Sequence, residues 1–448
     1  MGSNRTDLPA IEGKTKQIFK IPHSTRARVV SKRDITAGDG AKRDEFEHKD
    51  VYATTVTCRV FELLRNCNIP VAYVRQTAPT EFEVEWTEMI PLEIVARRII
   101  GEKSSYRKRN PHVSAGTRFE TLVVEFFLKT TDKKFGSHTL VKDDPLIIEF
   151  GSKGTGITIC RPDLPVSSEG VENPHIKISA AEMYGSAESD IFPYHDLEKL
   201  VRKVFLALEG AWLLQGLHLC DLKIECGLTS DNVLVVSDVI DADSWRLIDK
   251  DGRGLDKQGY RDGAAMDAVA DVYAEVARRV QRFEELHDKP QIILWCASRQ
   301  DSPVPFQEEV DRLNYPARLS IHYGSIHKQP EASLAEFRKA LLVHPMNTVV
   351  IVYVGRSNGA GPVFACDTHV PVIAVSATTL KCPEDIWSSI NVPSDCPLLF
   401  QKYPANAIQA AIGIISAKSP VCYMSRRMIV EDAHRNASNS PTYQKEWI

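Results

Sequence analysis

Between Asp221 and Asp262 the chain reads DLKIECGLTSDNVLVVSDVIDADSWRLIDKDGRGLDKQGYRD, a stretch dense in acids and bases. Asp221, Lys223 and Glu225 are spaced by two, so on a strand they share one face while Ile224 and Cys226 take the other. Asp238, Asp241 and Asp243 follow, then Arg246, Lys257 and Arg261. Carboxylates held close on short strands suit Mg-nucleotide chemistry, because Mg²⁺ binds one or two protein carboxylates plus phosphate oxygens and keeps its waters. Alternating charge on a hairpin equally describes a solvated sheet face. The stretch therefore does not decide the matter alone.

The elements that must hold these groups are legible around them. Two apolar segments, Leu222–Gly227 and Val233–Val239, flank the turn-rich Thr229-Ser230-Asp231-Asn232, the signature of a β-hairpin. Leu197–Leu214 before it has helical periodicity. At the start of the chain, Ile11–Lys20 (IEGKTKQIFK) sets a glycine turn between strand-like flanks, with Lys14 and Lys16 pointing the same way. They are either a clamp on ATP phosphates or an ordinary exposed strand. The GKT triplet is no Walker A loop, since Leu8 stands where the motif requires glycine. Val29–Arg43 reads as a strand entering a Gly-Asp-Gly turn, and Tyr52–Asn66 as a helix with Val56, Val60, Leu63 and Leu64 on one face. Strands are expected at Val71–Val74, Phe82–Trp86 and Leu122–Lys129.

Arg97 and Arg98 interrupt the apolar run Ile94–Ile100. Arginines there need partners, met by an anionic ligand or by a structural ion pair. Gly101–Pro111 reads as a basic loop, Thr130–Asp144 as a long polar segment, and 151–175, rich in Gly, Ser and Pro, as loop.

Ala264–Leu286 reads as one long helix ending before Pro290. Beyond it, strands at Ile292–Cys296, Ala317–His322, Thr348–Val354, Val370–Val375 and Leu398–Gln401 alternate with helical stretches. That pattern specifies a three-layer, doubly wound parallel α/β domain of flavodoxin-like or Rossmann-like type, whose ligands gather at the carboxyl ends of the strands. The loops there are Ala297–Asp301, Gly324–Glu331 and Gly355–Pro362.

With 448 residues, the chain is expected to form two domains. A net charge of -4 and a pI near 6.4 argue against a dedicated nucleic-acid or anionic-membrane binder, leaving small molecules as the expected partners. No apolar run approaches the length of a membrane span, and no secretory signal opens the chain. MGSNRT fits the loose myristoylation pattern through Gly2 and Thr6, without a supporting basic cluster. Ten cysteines lack CxxC pairs or zinc spacing, so free thiols in a reducing cytoplasm are expected.

Several motifs in register carry a family resemblance: EGKTK (12–16), SKRDITAGDGAKR (31–43), EMIPLEIVARRI (88–99), KRNP (108–111), DLKIECG (221–227), DVIDADSWRL (238–247) and GRSNGAGPV (355–363). Across nearly the whole chain the sequence resembles the fused purine-biosynthesis enzymes of animals, which join SAICAR synthase to AIR carboxylase. The resemblance implies an α+β, ATP-grasp-like synthase domain over 1–262, a linker helix over 263–289 and a carboxylase-like domain over 290–448. It implies an ATP- and Mg²⁺-dependent ligase that activates a carboxylate as an acyl phosphate and couples it to an amine. Lys14 and Lys16 would hold ATP phosphates, Glu88 and Met89 would line the adenine pocket, and Glu225 and Asp238 would bind Mg²⁺. Asp221, Lys223 and Arg246 would sit at the reacting centre. Arg97 and Arg246 would take the ribonucleotide phosphate, with Ser104 or Ser105 beside them and Lys257 and Arg261 on the substrate side. In the second half, His327 would be catalytic and Ser298, Asp301, Arg356, Ser357 and Asn358 would bind substrate. The family's homo-octamer is centred on that half.

The departures are equally specific. The loop before KRNP, GEKSSYR, is about two residues longer than the family's. TTDKKFGSHTLVKDDP replaces a compact Asp-Asp-Ala-x-x-Asp-Pro loop, displacing Asp143-Asp144-Pro145. Ala297 and Gln300 fill a phosphate cradle built for small residues, and Ile326 adds bulk beside His327. These changes lead to the expectation of a degenerate carboxylase domain. They also leave open a paralogue that ligates a different acid and amine, and a non-catalytic nucleotide-binding scaffold.

Overall fold

The computed structural model describes residues 8–37, 41–135, 138–140, 142–150, 156–164, 176–179, 192–287, 290–313, 315, 318–378 and 381–438. The MGSNRT segment and the Gly-Asp-Gly turn at 38–40 lie outside them. The chain divides into two compact units, Met1–Glu284 with Glu431–Ile448, and Glu285–Val430.

In the first unit, among the described residues, an antiparallel five-stranded sheet runs in the order Ile11–Glu12, Lys16–Lys20, Arg26–Ser31, Glu81–Glu85, Tyr73–Ala78. A larger sheet is centred on two long strands, Leu92–Ile99 and Leu217–Leu228, which pair antiparallel with Asp221 opposite Arg97 and Lys223 opposite Val95. Leu217–Leu228 also pairs with Leu234–Ser237, giving the expected hairpin, with Trp245–Asp249, and with Glu88–Met89. At that last pairing Gly227 is required, because a Cβ there would lie 2.9 Å from the Glu88 carbonyl oxygen and 2.8 Å from Thr87 Cβ. The helix Tyr194–Leu213 buries Leu197, Val201, Val204, Phe205 and Leu208 at helical spacing. Each such side chain contributes roughly 1.5–3 kcal/mol.

Four expectations are corrected. Residues 156–160, read as loop, form a strand paired with Leu146–Phe150 and Ile176–Ser179; the Gly and Ser around ITI hid its alternation. Thr130–Asp144 contains a small ribbon, Lys134–Phe135 with His138–Thr139. The basic loop Gly101–Pro111 contains a short helix, Ser105–Arg109, whose first turn is capped by Ser104. The long helix is α-helical only over Met266–Val280 and continues as a 3₁₀ turn, Gln281–His287. Nor is it a bare linker, since Val269 and Tyr273 are buried with Ile35, Phe46 and Tyr260 of the first unit.

The second unit has five parallel strands in the spatial order Arg318–Tyr323, Gln291–Cys296, Thr348–Val354, Val372–Ser376, Leu398–Phe400. Numbered along the chain this is 2-1-3-4-5, with helices between the strands and a separate apolar cluster on each face. The expected parallel α/β architecture is present.

Candidate active site

Opposite ends of one cavity in the first unit differ sharply in chemistry. Its apolar wall is formed by Ile18, Ala27, Val29, Phe82, Val84 and Met89, from the five-stranded sheet and the short strand beside it. Its polar end carries Lys16, Lys129, Glu225 and Asp238. Strand alternation puts Lys16 and Ile18 on one face, and the Glu225↔Ser237 pairing brings Asp238 beside Glu225 at the end of the hairpin.

The charges at this end are mutually paired. Lys16 forms an ion pair with Asp238, and Lys129 Nζ donates to Glu225 at 2.7 Å. Asp238 has φ 59°, a left-handed conformation that Asp tolerates better than most residues. Burial pushes the Lys16 ammonium down to about 8; Glu225 and Asp241 hold it up against that, while Lys129 and Lys223 add repulsion. Among the described residues no cluster of three or more His, Cys, Asp or Glu could ligate a metal. Two carboxylates facing one cavity do fit Mg²⁺, which draws its remaining ligands from phosphate and water.

A second group of charges continues along the two central strands. Arg97 Nη1 donates to Asp221 Oδ2 at 3.2 Å, and Arg246 Nη1 reaches the same oxygen at 3.0 Å. Glu125 accepts from Arg97 Nε at 2.7 Å and from Arg109 Nη2 at 2.6 Å. Arg97 also reaches the Ser104 and Ser105 hydroxyls, each at 3.4 Å. The longer loop thus brings both serines to the arginine. Lys223 Nζ donates to Glu93 at 2.6 Å.

Arg98 points the other way and has a structural partner set. It is fully buried, bidentate to Glu209 at 2.8 and 3.1 Å, and bonded to Glu431 at 2.6 Å. Both neighbouring arginines thus have carboxylate partners, Arg97 in Asp221 and Glu125 and Arg98 in Glu209 and Glu431.

The inserted segment does not carry the acids away. Lys134–Phe135 and His138–Thr139 within it pair as the small ribbon, Leu128 N donates to Pro145 O at 3.0 Å, and Thr130 Oγ1 donates to Asp143 at 2.9 Å. Asp143-Asp144-Pro145 therefore returns to the end of the strand Arg118–Leu128, where the charge of Asp144 acts on Lys223.

Other expected residues stand elsewhere. Lys14 is exposed in the turn before the strand Lys16–Lys20 and is not part of the cavity wall. Glu88 faces a separate hollow with Lys20 and Trp86. Lys257 is buried against Asp243, 2.9 Å away, and Arg261 is exposed beside Gln258. Lys129, Glu93 and Glu125 were missed by sequence reasoning. Glu125 left a signal, a lone acid inside VVEFFLK needing a partner as Arg97 did; Lys129 and Glu93 left none.

In the second unit the candidate residues lie in loops after three adjacent strands. Ser298 N donates to Asp301 Oδ2 at 2.9 Å; burial raises the Asp301 carboxyl, and this hydrogen bond opposes the rise. Asn358 is buried, donating to Ser389 Oγ at 2.9 Å and accepting from Gly361 N at 2.8 Å. Arg356 and Ser357 are exposed, with Ser357 at φ 59°. His327 is exposed on one loop and packs over Gly359 on the next. Ile326 is buried in the apolar cluster with Trp295 and Phe337, so its bulk is absorbed by the core rather than crowding His327.

Residues 9–151 and 167–280 match the family model for SAICAR synthetase, and 292–436 match that for AIR carboxylase. The chain is 31% identical to the probable multifunctional protein ADE2 of Caenorhabditis elegans, over 92% of this chain and 90% of that protein. It is 32% identical to the bifunctional phosphoribosylaminoimidazole carboxylase/phosphoribosylaminoimidazole succinocarboxamide synthetase of Drosophila melanogaster, over 90% of this chain and 87% of that protein. A solved structure of SAICAR synthetase (Type-2) in complex with ADP covers 60% of this chain and 96% of its own, with a TM-score of 0.47 and 24% identity.

Proposed function

Since the chain belongs to the family that joins SAICAR synthetase to AIR carboxylase, we propose that its first unit is an ATP- and Mg²⁺-dependent ligase converting carboxyaminoimidazole ribonucleotide and L-aspartate to SAICAR. The observation that carries this reading is the two-ended cavity, whose apolar wall suits a purine and whose paired lysines and carboxylates suit a metal triphosphate. The ligase is assigned to the first unit, with an ATP-grasp-like fold, and the carboxylase to the second, Glu285–Val430, where the 2-1-3-4-5 strand order supports a flavodoxin-like description.

In this reading the adenine lies against Met89, Phe82 and Val29, and Lys16 and Lys129 receive the phosphates. Glu225 and Asp238 hold Mg²⁺, which supplies charge neutralisation on the transferred phosphoryl group. Arg97 and Arg246, tied together by Asp221, take the ribonucleotide phosphate, with Ser104 and Ser105 as further donors. A carboxylate oxygen of the ribonucleotide attacks the terminal phosphorus of ATP and ADP leaves. The aspartate amine then attacks the acyl carbon, phosphate departs with the former carboxylate oxygen, and the proton lost from the amine leaves with that phosphate.

The return of Asp143 and Asp144 to the strand end favours the family reaction over a different acid and amine. The second unit is assigned AIR carboxylase activity, with His327 acting beside the loops of Asp301 and Asn358. A homo-octamer and a cytoplasmic location accord with the family and with the ten free cysteines.

Purified protein given ATP, Mg²⁺, carboxyaminoimidazole ribonucleotide and L-aspartate is expected to form SAICAR, detected chromatographically. ATP turnover only with other acids or amines would refute the substrate assignment. Nucleotide binding without any turnover would refute the ligase.

A further inference from the structure

On the strand Leu92–Ile99, Glu93, Val95 and Arg97 share the face that carries the site, since alternate residues point the same way. Arg97 belongs to the phosphate-binding group, whereas Glu93 has no place in the steps above. Its Oε1 accepts from Lys223 Nζ at 2.6 Å, a charge-assisted distance. Lys223 lies opposite Val95, so Glu93 is its diagonal neighbour across the antiparallel pair. Three other charged groups face Lys223: Glu225 on its own strand, Asp144 after the ribbon, and Lys16 from the five-stranded sheet. Glu225 is itself engaged by Lys129.

We infer that Glu93 is a positioning residue for the ligation, pinning the Lys223 ammonium at one point beside the substrate carboxylate. This rests on the ligase reading above. A lysine head on its four-carbon stem reaches many positions, and a charge that stabilises a developing negative oxygen works best when already in place. A merely structural, half-exposed ion pair of this kind would contribute little to stability and nothing to the rate.

The test is Glu93→Gln, which keeps the shape and removes the charge, with Glu93→Asp as the conservative companion. Glu93→Gln is expected to lower kcat on the order of 10- to 100-fold, the span of one charge-assisted hydrogen bond. The KM for ATP should stay unchanged, because the nucleotide contacts are untouched. Glu93→Asp should recover part of the rate. Wild-type kcat in Glu93→Gln, or a drop in kcat matched by an equal rise in the KM for ATP, would overturn the inference, as would a Glu93→Asp rate no better than that of Glu93→Gln. A wild-type protein forming no SAICAR would instead overturn the ligase reading itself.

Discussion

Lys129 donates a hydrogen bond to Glu225 at 2.7 Å, so the carboxylate assigned to the metal is already neutralised by a cation just past the end of the strand Arg118–Leu128. Asp238 is likewise engaged by Lys16. Each acid thus has a lysine partner, and metal and phosphate together can exchange with the two lysines without leaving a charge unmatched. Glu225→Gln and Asp238→Asn should therefore fold but need far more Mg²⁺, with activity lowered about 100-fold or more. Titrating Mg²⁺ against rate checks this. Asp238→Asn tests charge alone, because Asn also tolerates φ above zero, whereas Asp238→Val adds backbone strain.

Lys16 sets a pH limit on nucleotide capture. ATP phosphates favour the protonated lysine, and burial puts its free-enzyme value at about 8. The kcat/KM for ATP should hold below that value and fall roughly tenfold per pH unit above it. Lys16→Arg should abolish the limb, since arginine stays charged. A flat wild-type profile through about pH 9 would contradict the assignment.

The buried set Arg98, Glu209 and Glu431 predicts a stability dependence on the distal end of the chain. Glu431 has no exposed surface and also accepts from Leu122 N at 3.1 Å. Glu431→Ala leaves Arg98 with one carboxylate fewer, at a cost of about 3–5 kcal/mol. Calorimetry should record the first unit melting roughly 10 °C lower. An unchanged Tm would show that the buried charge is matched by other means.

Gly359→Ala separates the two activities. A Cβ at 359 would run into the His327 imidazole, so the ring must move. Carboxylation should fall at least about tenfold while SAICAR formation is untouched, as expected when a group at the reacting centre is displaced. Parallel assays on one preparation check it, and equal carboxylation would remove His327 from the site.

Much of this arrangement is legible in the sequence, and the losses have physical causes. The hairpin around Glu225 and Asp238 and the parallel strands of the second unit follow from local periodicity. Arg97 and Arg98 look identical in sequence, yet strand alternation sends one to the site and the other to a buried partner more than three hundred residues away. No local pattern marks that contact. Lys14 and Lys16 also read alike, but only Lys16 enters the strand and reaches the cavity. Ile326 was expected to crowd His327, whereas the core takes up its side chain. Positions set by neighbours distant in the chain are the ones that sequence spacing misassigns.

The most direct test of the central claim follows oxygen. Carboxyaminoimidazole ribonucleotide labelled with oxygen-18 in its carboxylate is turned over with ATP and aspartate, and the released phosphate is analysed by mass. If the carboxylate is phosphorylated beside Glu225 and Asp238, each phosphate carries one labelled oxygen. Unlabelled phosphate released alongside SAICAR would contradict the account.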